Sequence, residues 1–279
     1  MKCHPSNSCV NSETAGIDVK ITNKCNANCA FCIEKGGYNP EEKDVESLIL
    51  ATNTLDQKIV LILGGEPLLY PHLEKYLEGI KGKDIYLTTN GILLNAEIAK
   101  MLSKHLTAIN ISIHHSTERK NAEVYNVSEY PFEGIMAANR VFNRCRVPVR
   151  INCNLVKGII ETRNDIQKMV HFAEFIGANS IRFNELQNCE SLYVDARELV
   201  YGLNRDPYTH GCEQTIFETE NITVTIKVTC GIVNKLKSPI SDPLFKPTKR
   251  RVVYPDSSTH PGWRSTAVSC HGSSRGGCH

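Results

Sequence analysis

The sequence predicts an α/β fold, in which six β/α repeats form a partial (β/α)6 TIM-like barrel, an open version of the eight-unit barrel. From residue 17 onward, short β-rich runs alternate with longer segments that have helical spacing. Several runs, such as Ile59–Leu63, are continuously apolar, which is typical of parallel strands buried on both faces. The carboxyl ends of such strands meet on one rim, where the chemistry of these folds takes place.

The predicted strands and helices alternate along the chain. The strands are predicted, in chain order, at Ile17–Thr22, Lys58–Leu63, Asp84–Thr88, Ala108–Ile113, Val147–Val156 and Asn179–Leu186. The intervening helices are predicted at Glu41–Asn53, Pro71–Ile80, Asn95–Lys104, Phe132–Asn143 and Thr162–Ile176. In the last helix, apolar residues recur at spacings of three or four, as one buried helix face requires.

The alternation stops after residue 190, where a small, loop-rich appendage is predicted to begin. Within it, Ile222–Val228 alternates apolar residues with threonine and lysine, which indicates a strand with one wet face. Glu218–Asn221 is the predicted turn of a β-hairpin. The predicted divisions are an N-terminal extension (1–16), a partial barrel (17–190) and the appendage (191–279).

Composition narrows the class of protein. The chain has 279 residues, of which 41% are hydrophobic and 22% charged, as in an ordinary globular protein. The net charge of +2 gives no reason to expect nucleic acid or an acidic membrane surface as partner, and the basic run Lys246–Arg251 is predicted to be a solvated loop. No run approaches the roughly 20 apolar residues of a membrane span, and the polar N-terminus does not resemble a signal peptide. We therefore expect a cytoplasmic protein, in which the clusters among the twelve cysteines bind metal rather than form disulfides.

Three of these cysteines form a loop directly after the first predicted strand. Cys25, Cys29 and Cys32 have the spacing C-x3-C-x2-C, and residues 24–32 are hereafter the cysteine loop. Soft thiolates in a tight loop suit an iron–sulfur cluster or zinc. A four-iron cluster needs four ligands, so three cysteines leave one iron that can bind another molecule. A structural zinc completed by a distant residue is the alternative, which the spacing and the aromatic Phe31 disfavour.

Polar or glycine-rich residues follow each of the other predicted strands. Because strand ends converge on one rim, these residues are candidates for one site. They are Gly64, Gly65, Glu66 and Pro67 after the second strand, Thr89 and Asn90 after the third, Ser112, His114 and His115 at the fourth, Asn152 and Asn154 on the fifth, and Glu185 on the sixth.

The cysteine loop and the segment Gly64–Pro67 resemble the two characteristic motifs of the radical S-adenosylmethionine (SAM) superfamily. The resemblance covers roughly residues 17–190 and includes the aromatic residue before the last cysteine. It implies a four-iron–four-sulfur (4Fe-4S) cluster on Cys25, Cys29 and Cys32, with the amine and carboxylate of SAM on the remaining iron.

The resemblance also implies roles for the rim residues. The glycines of Gly64–Pro67 let the backbone approach the ligand, and carbonyls there, with Glu66 nearby, accept hydrogen bonds from the SAM ammonium. Phe31 packs beside the adenine. Contacts with the ribose or the carboxylate of SAM, or structural hydrogen bonds as the alternative, are expected from Thr89, Asn90, Ser112, Asn152 and Asn154.

The family mechanism implies a one-electron reductant of the flavodoxin or ferredoxin type. SAM is cleaved to a 5′-deoxyadenosyl radical, which abstracts hydrogen from the substrate. His114 or His115 is a candidate proton acceptor and Glu185 a weaker one, with a structural role as the alternative for each.

Four cysteines of the appendage resemble those of a twitch domain, a shortened SPASM domain that carries an auxiliary 4Fe-4S cluster. The wide spacing of the second pair departs from that pattern, so that His271 or His279 is an alternative to Cys278, and structural zinc is an alternative to the cluster. The four are Cys212, Cys230, Cys270 and Cys278.

Three functions compete at this point. The first is the dehydrogenase-like oxidation or rearrangement of a small molecule, such as a sugar, cyclitol or other natural-product intermediate, by a radical SAM oxidoreductase. The second is the cross-linking or side-chain modification of a ribosomal peptide. The third is a non-catalytic electron-transfer or scaffold protein, against which the Gly64–Pro67 segment argues.

Overall fold

The computed structural model describes residues 16–35, 37–186, 189–196, 199, 213–218, 222–227 and 250–261. Its strands form one ten-stranded sheet of order β10-β9-β1-β2-β3-β4-β5-β6-β8-β7. The first six pair in parallel and in chain order, as the alternating sequence predicts. The bounds are β1 Ile17–Lys20, β2 Ile59–Leu63, β3 Asp84–Thr89, β4 Ala108–Ser112, β5 Val149–Leu155, β6 Ser180–Glu185, β7 Glu213–Glu218, β8 Thr223–Lys227, β9 Arg251–Val253 and β10 Thr259–His260.

All five predicted helices are present, each within a few residues of its predicted bounds. Asp44, Asn95 and Thr162 each precede a helix, and their side chains accept a hydrogen bond from the backbone three residues later. Such N-caps fix where a helix begins. The α-helices are α1 Val45–Asn53, α2 Leu73–Gly79, α3 Ala96–Leu102, α4 Glu118–Tyr125, α5 Phe132–Arg144 and α6 Arg163–Phe175, and short 3-10 helices lie at Pro67–Leu69 and Glu190–Leu192.

The two faces of the sheet have different surroundings. On the face here called outer, side chains such as Val19, Ile62 and Ile151 are fully buried in one core that includes the apolar sides of the helices. The side chains of the inner face alternate with these along each strand, and most of them are polar. β2 alternates between buried and half-buried residues, so the expectation that it is buried on both faces is wrong. The reason is that its inner face lines the open side of a partial barrel.

The predicted hairpin is confirmed by the antiparallel pairing of β7 with β8. This hairpin continues the main sheet, because β8 also pairs in parallel with β6. At the opposite edge β9 pairs in parallel with β1. Strands beyond residue 190 therefore extend both edges of the sheet, and the division of the chain at that residue stays a prediction.

Helix α4 has no counterpart in the sequence prediction, because its eight residues contain too few apolar side chains to show a helical period. Asn121, which is fully buried, connects it to the end of β4. Its Oδ1 accepts hydrogen bonds from the backbone N–H groups of His114 (2.9 Å) and His115 (3.1 Å). Its Nδ2 donates to the carbonyls of His115 and Thr117. The amide thus uses its full bonding capacity to hold the turn that leads into α4.

Within the described residues, no helix combines the length and the apolar character that a membrane crossing requires.

We expect Asn121→Ala to lower the free energy of unfolding by about 3 kcal/mol, because it leaves the buried backbone N–H of His114 and the half-buried N–H of His115 without an acceptor. Denaturant titration of the full chain measures this effect. Asn143→Ala is the matched control, since its exposed amide makes one hydrogen bond to Gly177. Equal stability of the two variants would show that the turn before α4 does not depend on Asn121.

Candidate active site

The cysteine loop begins where β1 ends, and its thiols are accessible. Cys25 is exposed, Cys29 and Cys32 are half-buried, and none of the three is in a disulfide. The backbone N–H of Asn28 donates to the carbonyl of Tyr125, the last residue of α4, at 2.8 Å. The middle of the cysteine loop is therefore bonded to α4, the helix that has no counterpart in the sequence prediction.

A buried ion pair holds the segment that follows the loop. Lys20, which is 1% exposed, lies at the end of β1, and its Nζ is 2.7 Å from a carboxylate oxygen of Glu34. The same Nζ donates to the carbonyl of Tyr38 (3.0 Å) and to Oδ1 of Asn39 (2.6 Å). These partners offset the cost of removing the ammonium from water. Lys20 thereby anchors the chain just after Cys32, a role that no sequence pattern suggests.

Gly64 and Gly65 lie directly against the backbone that leads into the cysteine loop. The N–H of Gly65 donates to the carbonyl of Thr22 (2.9 Å), and that of Glu66 donates to the carbonyl of Lys24 (2.7 Å). A Cβ atom on Gly65 would lie 2.0 Å from the carbonyl oxygen of Lys24, and Gly64 has a φ of +145°. Only glycine fits these two positions. The close approach observed is thus to the chain itself, and the predicted approach to a ligand stays a prediction.

The carboxylate of Glu66 is completely buried and joins the ends of β2 and β3. Its Oε1 accepts hydrogen bonds from Thr89 Oγ1 (2.7 Å) and the Leu68 N–H (3.0 Å). Its Oε2 accepts one from the Asn90 N–H (2.7 Å). Burial raises the pKa of this carboxyl group, although its hydrogen bonds act in the opposite direction. Glu66 therefore positions Thr89 and Asn90, and a bond from it to the SAM ammonium is not tested.

Asn90 extends this network back to the cysteine loop. Its Nδ2 donates to Oδ1 of Asn26, next to Cys25, at 2.7 Å. Its carbonyl accepts a hydrogen bond from Tyr130 (2.7 Å). The ends of β2 and β3 and the cysteine loop therefore form one connected unit.

Two stacked tyrosines lie beneath this unit. The rings of Tyr125 and Tyr130 are nearly parallel, with centroids 5.1 Å apart. Both hydroxyls donate to the carbonyl of Ser112, at 2.6 and 2.9 Å, and Tyr130 shares its single proton between this carbonyl and that of Asn90. Burial raises the pKa of both phenols well above the usual range, so they remain donors. The sequence does not single out either tyrosine, because an aromatic residue in a loop or short helix has no distinctive spacing.

The two histidines after β4 occupy different environments. His114 is buried, with its ring 5.2 Å from that of Phe31 and 5.3 Å from that of Tyr125. Its Nδ1 accepts a hydrogen bond from the Asn154 N–H (3.1 Å), and burial lowers its pKa to about 3. His115 is half-buried, and its Nδ1 accepts from the Thr117 N–H (3.1 Å) at the start of α4. The ring nitrogen that each would use as a proton acceptor is thus already bonded within the protein.

The match to the Radical SAM superfamily covers residues 19–173 of this chain, from β1 into α6. The chain belongs to this superfamily. It is 31% identical over 204 residues to a GTP 3',8-cyclase of Aliarcobacter butzleri, which covers 68% of this chain and 59% of that protein. It is 30% identical over 186 residues to a GTP 3',8-cyclase of Aquifex aeolicus, which covers 61% of this chain and 55% of that protein. The chain therefore spans somewhat more than half the length of these curated relatives.

Solved structures share the fold at low sequence identity. Streptococcus suis SuiB superposes with a TM-score of 0.64 at 16% identity, over 88% of this chain and 60% of SuiB. anSMEcpe, solved with bound AdoMet and the Cp18Cys peptide, gives a TM-score of 0.58 at 18% identity, over 90% of this chain and 76% of that protein. These superpositions bear out the predicted partial barrel.

Membership of the radical SAM superfamily implies a 4Fe-4S cluster and SAM, and the cysteine loop fits the cluster. The pKa of Cys29 is raised to about 12, first by burial and then by the nearby Cys32 and Cys25 thiols, so the three groups face one region. A structural zinc ion on the same thiols stays the alternative.

Ser112, Asn152 and Asn154 lie together on the inner face of the sheet, and their contacts with SAM stay a prediction. Ser112 pairs in register with Asn152 across β4 and β5. The Oδ1 atom of Asn152 is buried and has no hydrogen-bond partner among the described residues. A buried carbonyl oxygen without a donor is costly, so it points to a ligand donor at this position.

Glu185 lies outside this arrangement of inner-face residues. Glu185 is buried on the outer side of β6, where its Oε1 accepts hydrogen bonds from Tyr193 (3.0 Å) and the Ala196 N–H (2.9 Å). These bonds hold the segment after β6, and a catalytic role for Glu185 stays a prediction. The four cysteines predicted to hold an auxiliary cluster lie outside the described residues.

The burial of His114 predicts a specific loss of stability in acid. A histidine with a pKa of 6.5 in the unfolded chain and about 3 in the folded chain binds its proton first in the unfolded state. The folded state is therefore disfavoured as the pH falls below about 6.5, by about 2 kcal/mol between pH 7 and pH 5. Denaturant titrations between pH 7 and pH 5 should show that the free energy of unfolding falls more steeply with decreasing pH in the wild type than in His114→Gln. The exposed His171→Gln is the control, and a His114→Gln profile parallel to wild type would contradict the assignment.

Proposed function

We propose that this chain is a radical SAM enzyme that binds a 4Fe-4S cluster through Cys25, Cys29 and Cys32 and abstracts hydrogen from a small molecule. The observation that supports it most is the contact between Gly64–Glu66 and the backbone entering the cysteine loop. This contact brings the two motifs of the family together around three free thiols. An electron-transfer protein would have no need of this second loop.

In this proposal, different residues of the chain bind the cluster, contact SAM and position the residues around it. The three thiolates hold the cluster, which together with SAM supplies a 5′-deoxyadenosyl radical when both are bound. Phe31, fixed edge-on against His114, offers a ring for the adenine to pack against. Asn152 offers its buried Oδ1 to a hydroxyl or ammonium donor of SAM. His114 acts as a positioning residue, since it fixes both Phe31 and the backbone at Asn154.

The names of the curated relatives favour a small-molecule substrate, because GTP 3',8-cyclases act on a nucleotide. They also favour a rearrangement or ring closure over the oxidation of an alcohol by a dehydrogenase. A peptide substrate is the alternative to be tested, and the peptide-bound structural neighbours share only the fold with this chain. An auxiliary 4Fe-4S cluster on Cys212, Cys230, Cys270 and Cys278 remains part of the proposal.

We expect the anaerobically reconstituted chain to form 5′-deoxyadenosine from SAM when dithionite is added. Cys29→Ser should reduce this product at least a hundredfold, because a cluster with two protein ligands is not retained. The matched control is Cys145→Ser, an exposed thiol at the end of α5, which should behave like the wild type. Chromatography of the quenched reactions measures the product. Undiminished product from Cys29→Ser would refute the assignment of this ligand.

Iron and sulfide counts test the auxiliary cluster separately. Two 4Fe-4S clusters correspond to about eight irons per chain, and Cys212→Ala should lower the count toward four. Cys3→Ala serves as control, because nothing in its spacing connects Cys3 to a cluster. An unchanged count in Cys212→Ala, or about four irons in the wild type, would remove the auxiliary site from the proposal.

A further inference from the structure

The turn between β9 and β10 lies on the rim that carries the cysteine loop. β9 pairs in parallel with β1, with Val19 opposite Val253, so both strands end at the same edge of the sheet. Val252, Val253 and Tyr254 are buried there. The β9–β10 hairpin is therefore packed into the fold at the point where β1 leads into the cysteines, although it lies near the other end of the chain.

The hairpin contacts the segment that follows the cysteine loop in three ways. The hydroxyl of Tyr38 donates a hydrogen bond to Oδ2 of Asp256 (3.0 Å). The ring of Tyr38 packs edge-on against that of Tyr254, with centroids 4.9 Å apart. The backbone N–H of Lys43 donates to the carbonyl of Pro255 (2.9 Å). Side chains and backbone of the two segments are thus joined directly.

Asp256 is oriented toward Tyr38 by its own turn. Its Oδ1 accepts a hydrogen bond from the Ser258 N–H (3.0 Å), while its Oδ2 accepts the bond from Tyr38. Burial opposes ionisation of this carboxyl group, but the hydrogen bonds from Ser258 and Tyr38 lower its pKa overall. It therefore accepts these bonds as an anion at neutral pH, and a hydrogen bond to an ionised acceptor is stronger than one between neutral groups.

Tyr38 connects the hairpin to the ion pair beside the cysteine loop. The Nζ atom of Lys20 donates to the carbonyl of Tyr38 (3.0 Å) and is 2.7 Å from a carboxylate oxygen of Glu34. Glu34 lies two residues after Cys32. The chain that leaves Cys32 is therefore fixed at Glu34 by β1 and at Tyr38 by both β1 and the hairpin. Fixing it in advance reduces the entropy that would be lost when the thiols take up a ligand.

We propose that the β9–β10 hairpin holds the cysteine loop in the conformation that binds a cluster, with Tyr38 and Asp256 as positioning residues. The inference rests on the proposed function, because the cluster concerned is the one on Cys25, Cys29 and Cys32. Neither positioning residue is a cluster ligand, and both act through the backbone after Cys32. The hairpin belongs to the region predicted as an appendage, so this region also controls the cluster that binds SAM.

Hydrogen–deuterium exchange of the full chain tests this inference, first without iron and then after anaerobic reconstitution. Tyr38→Phe keeps the ring and removes the bond to Asp256, whereas Asp256→Ala removes the acceptor. Each should speed the exchange of peptides from residues 24–35, and the loss of iron to a chelator, by about tenfold, as expected for one charge-assisted hydrogen bond. The double variant should not exceed Asp256→Ala alone, because the same bond is already lost.

Tyr76→Phe is the matched control. The hydroxyl of the fully buried Tyr76 is hydrogen-bonded to Thr52 Oγ1 (2.8 Å), so this variant also loses one tyrosine hydrogen bond, but between α1 and α2. Denaturant titration should show a lower free energy of unfolding for Tyr76→Phe. Its cysteine-loop exchange and iron loss should stay at the wild-type rate, which separates a positioning effect from a general loss of stability.

Two results would overturn the inference. One is that Tyr38→Phe and Asp256→Ala leave cysteine-loop exchange as slow as in Tyr76→Phe. The other is faster exchange confined to residues 250–261, with iron loss unchanged, which would show that the hairpin detaches without affecting the cysteines. The two proposals fail separately. A wild-type chain that retains no iron refutes the proposed function, and exchange in the iron-free chain then still decides whether the hairpin holds the loop.

Discussion

One buried carboxylate organises the candidate site. Glu66 has no exposure to solvent, and it accepts hydrogen bonds from Thr89, Asn90 and Leu68. The backbone N–H of the same residue donates to the carbonyl of Lys24, which enters the cysteine loop. The bonds to Thr89 and Asn90 reach the end of β3 and the bond to Lys24 reaches the cysteine loop, so Glu66 fixes the relative position of β2, β3 and the cysteines. A buried carboxylate is stable only when it is hydrogen-bonded in this way, so the loss of one partner destabilises the whole arrangement.

Side chains alternate between the two faces of a strand, so residues that stabilise the fold and residues that line the site lie on opposite faces of the sheet. Outer-face residues such as Ile62 and Ile151 are fully buried with the helices and provide the apolar core. Inner-face residues such as Asn152 and Arg182 face the open side of the partial barrel, where they contribute little to the core. Substitutions on the two faces should accordingly have different consequences, for folding on one and for ligand binding on the other.

A layer of aromatic and amide side chains connects the barrel to the cysteine loop. Asn121 holds the turn after β4, Tyr125 receives the loop at Asn28, and His114 supports Phe31. These groups can affect the site without contacting a substrate. They keep three flexible thiol side chains on one side of the rim, which reduces the entropy that would be lost when a cluster binds.

The sequence alone determined the repeat of strands and helices, the order of the parallel strands and the two motifs that identify the superfamily. These features depend on neighbours along the chain, because apolar periodicity, N-caps such as Thr162 and the spacing of Cys25, Cys29 and Cys32 are local. Only the tertiary structure decided which polar residues share a surface. Glu66 turned out to bond to the end of β3, Glu185 to face the outer side, and Asn121 to hold the turn after β4. Such relations depend on strand register and burial, which join residues far apart in the chain and leave no mark on its local pattern.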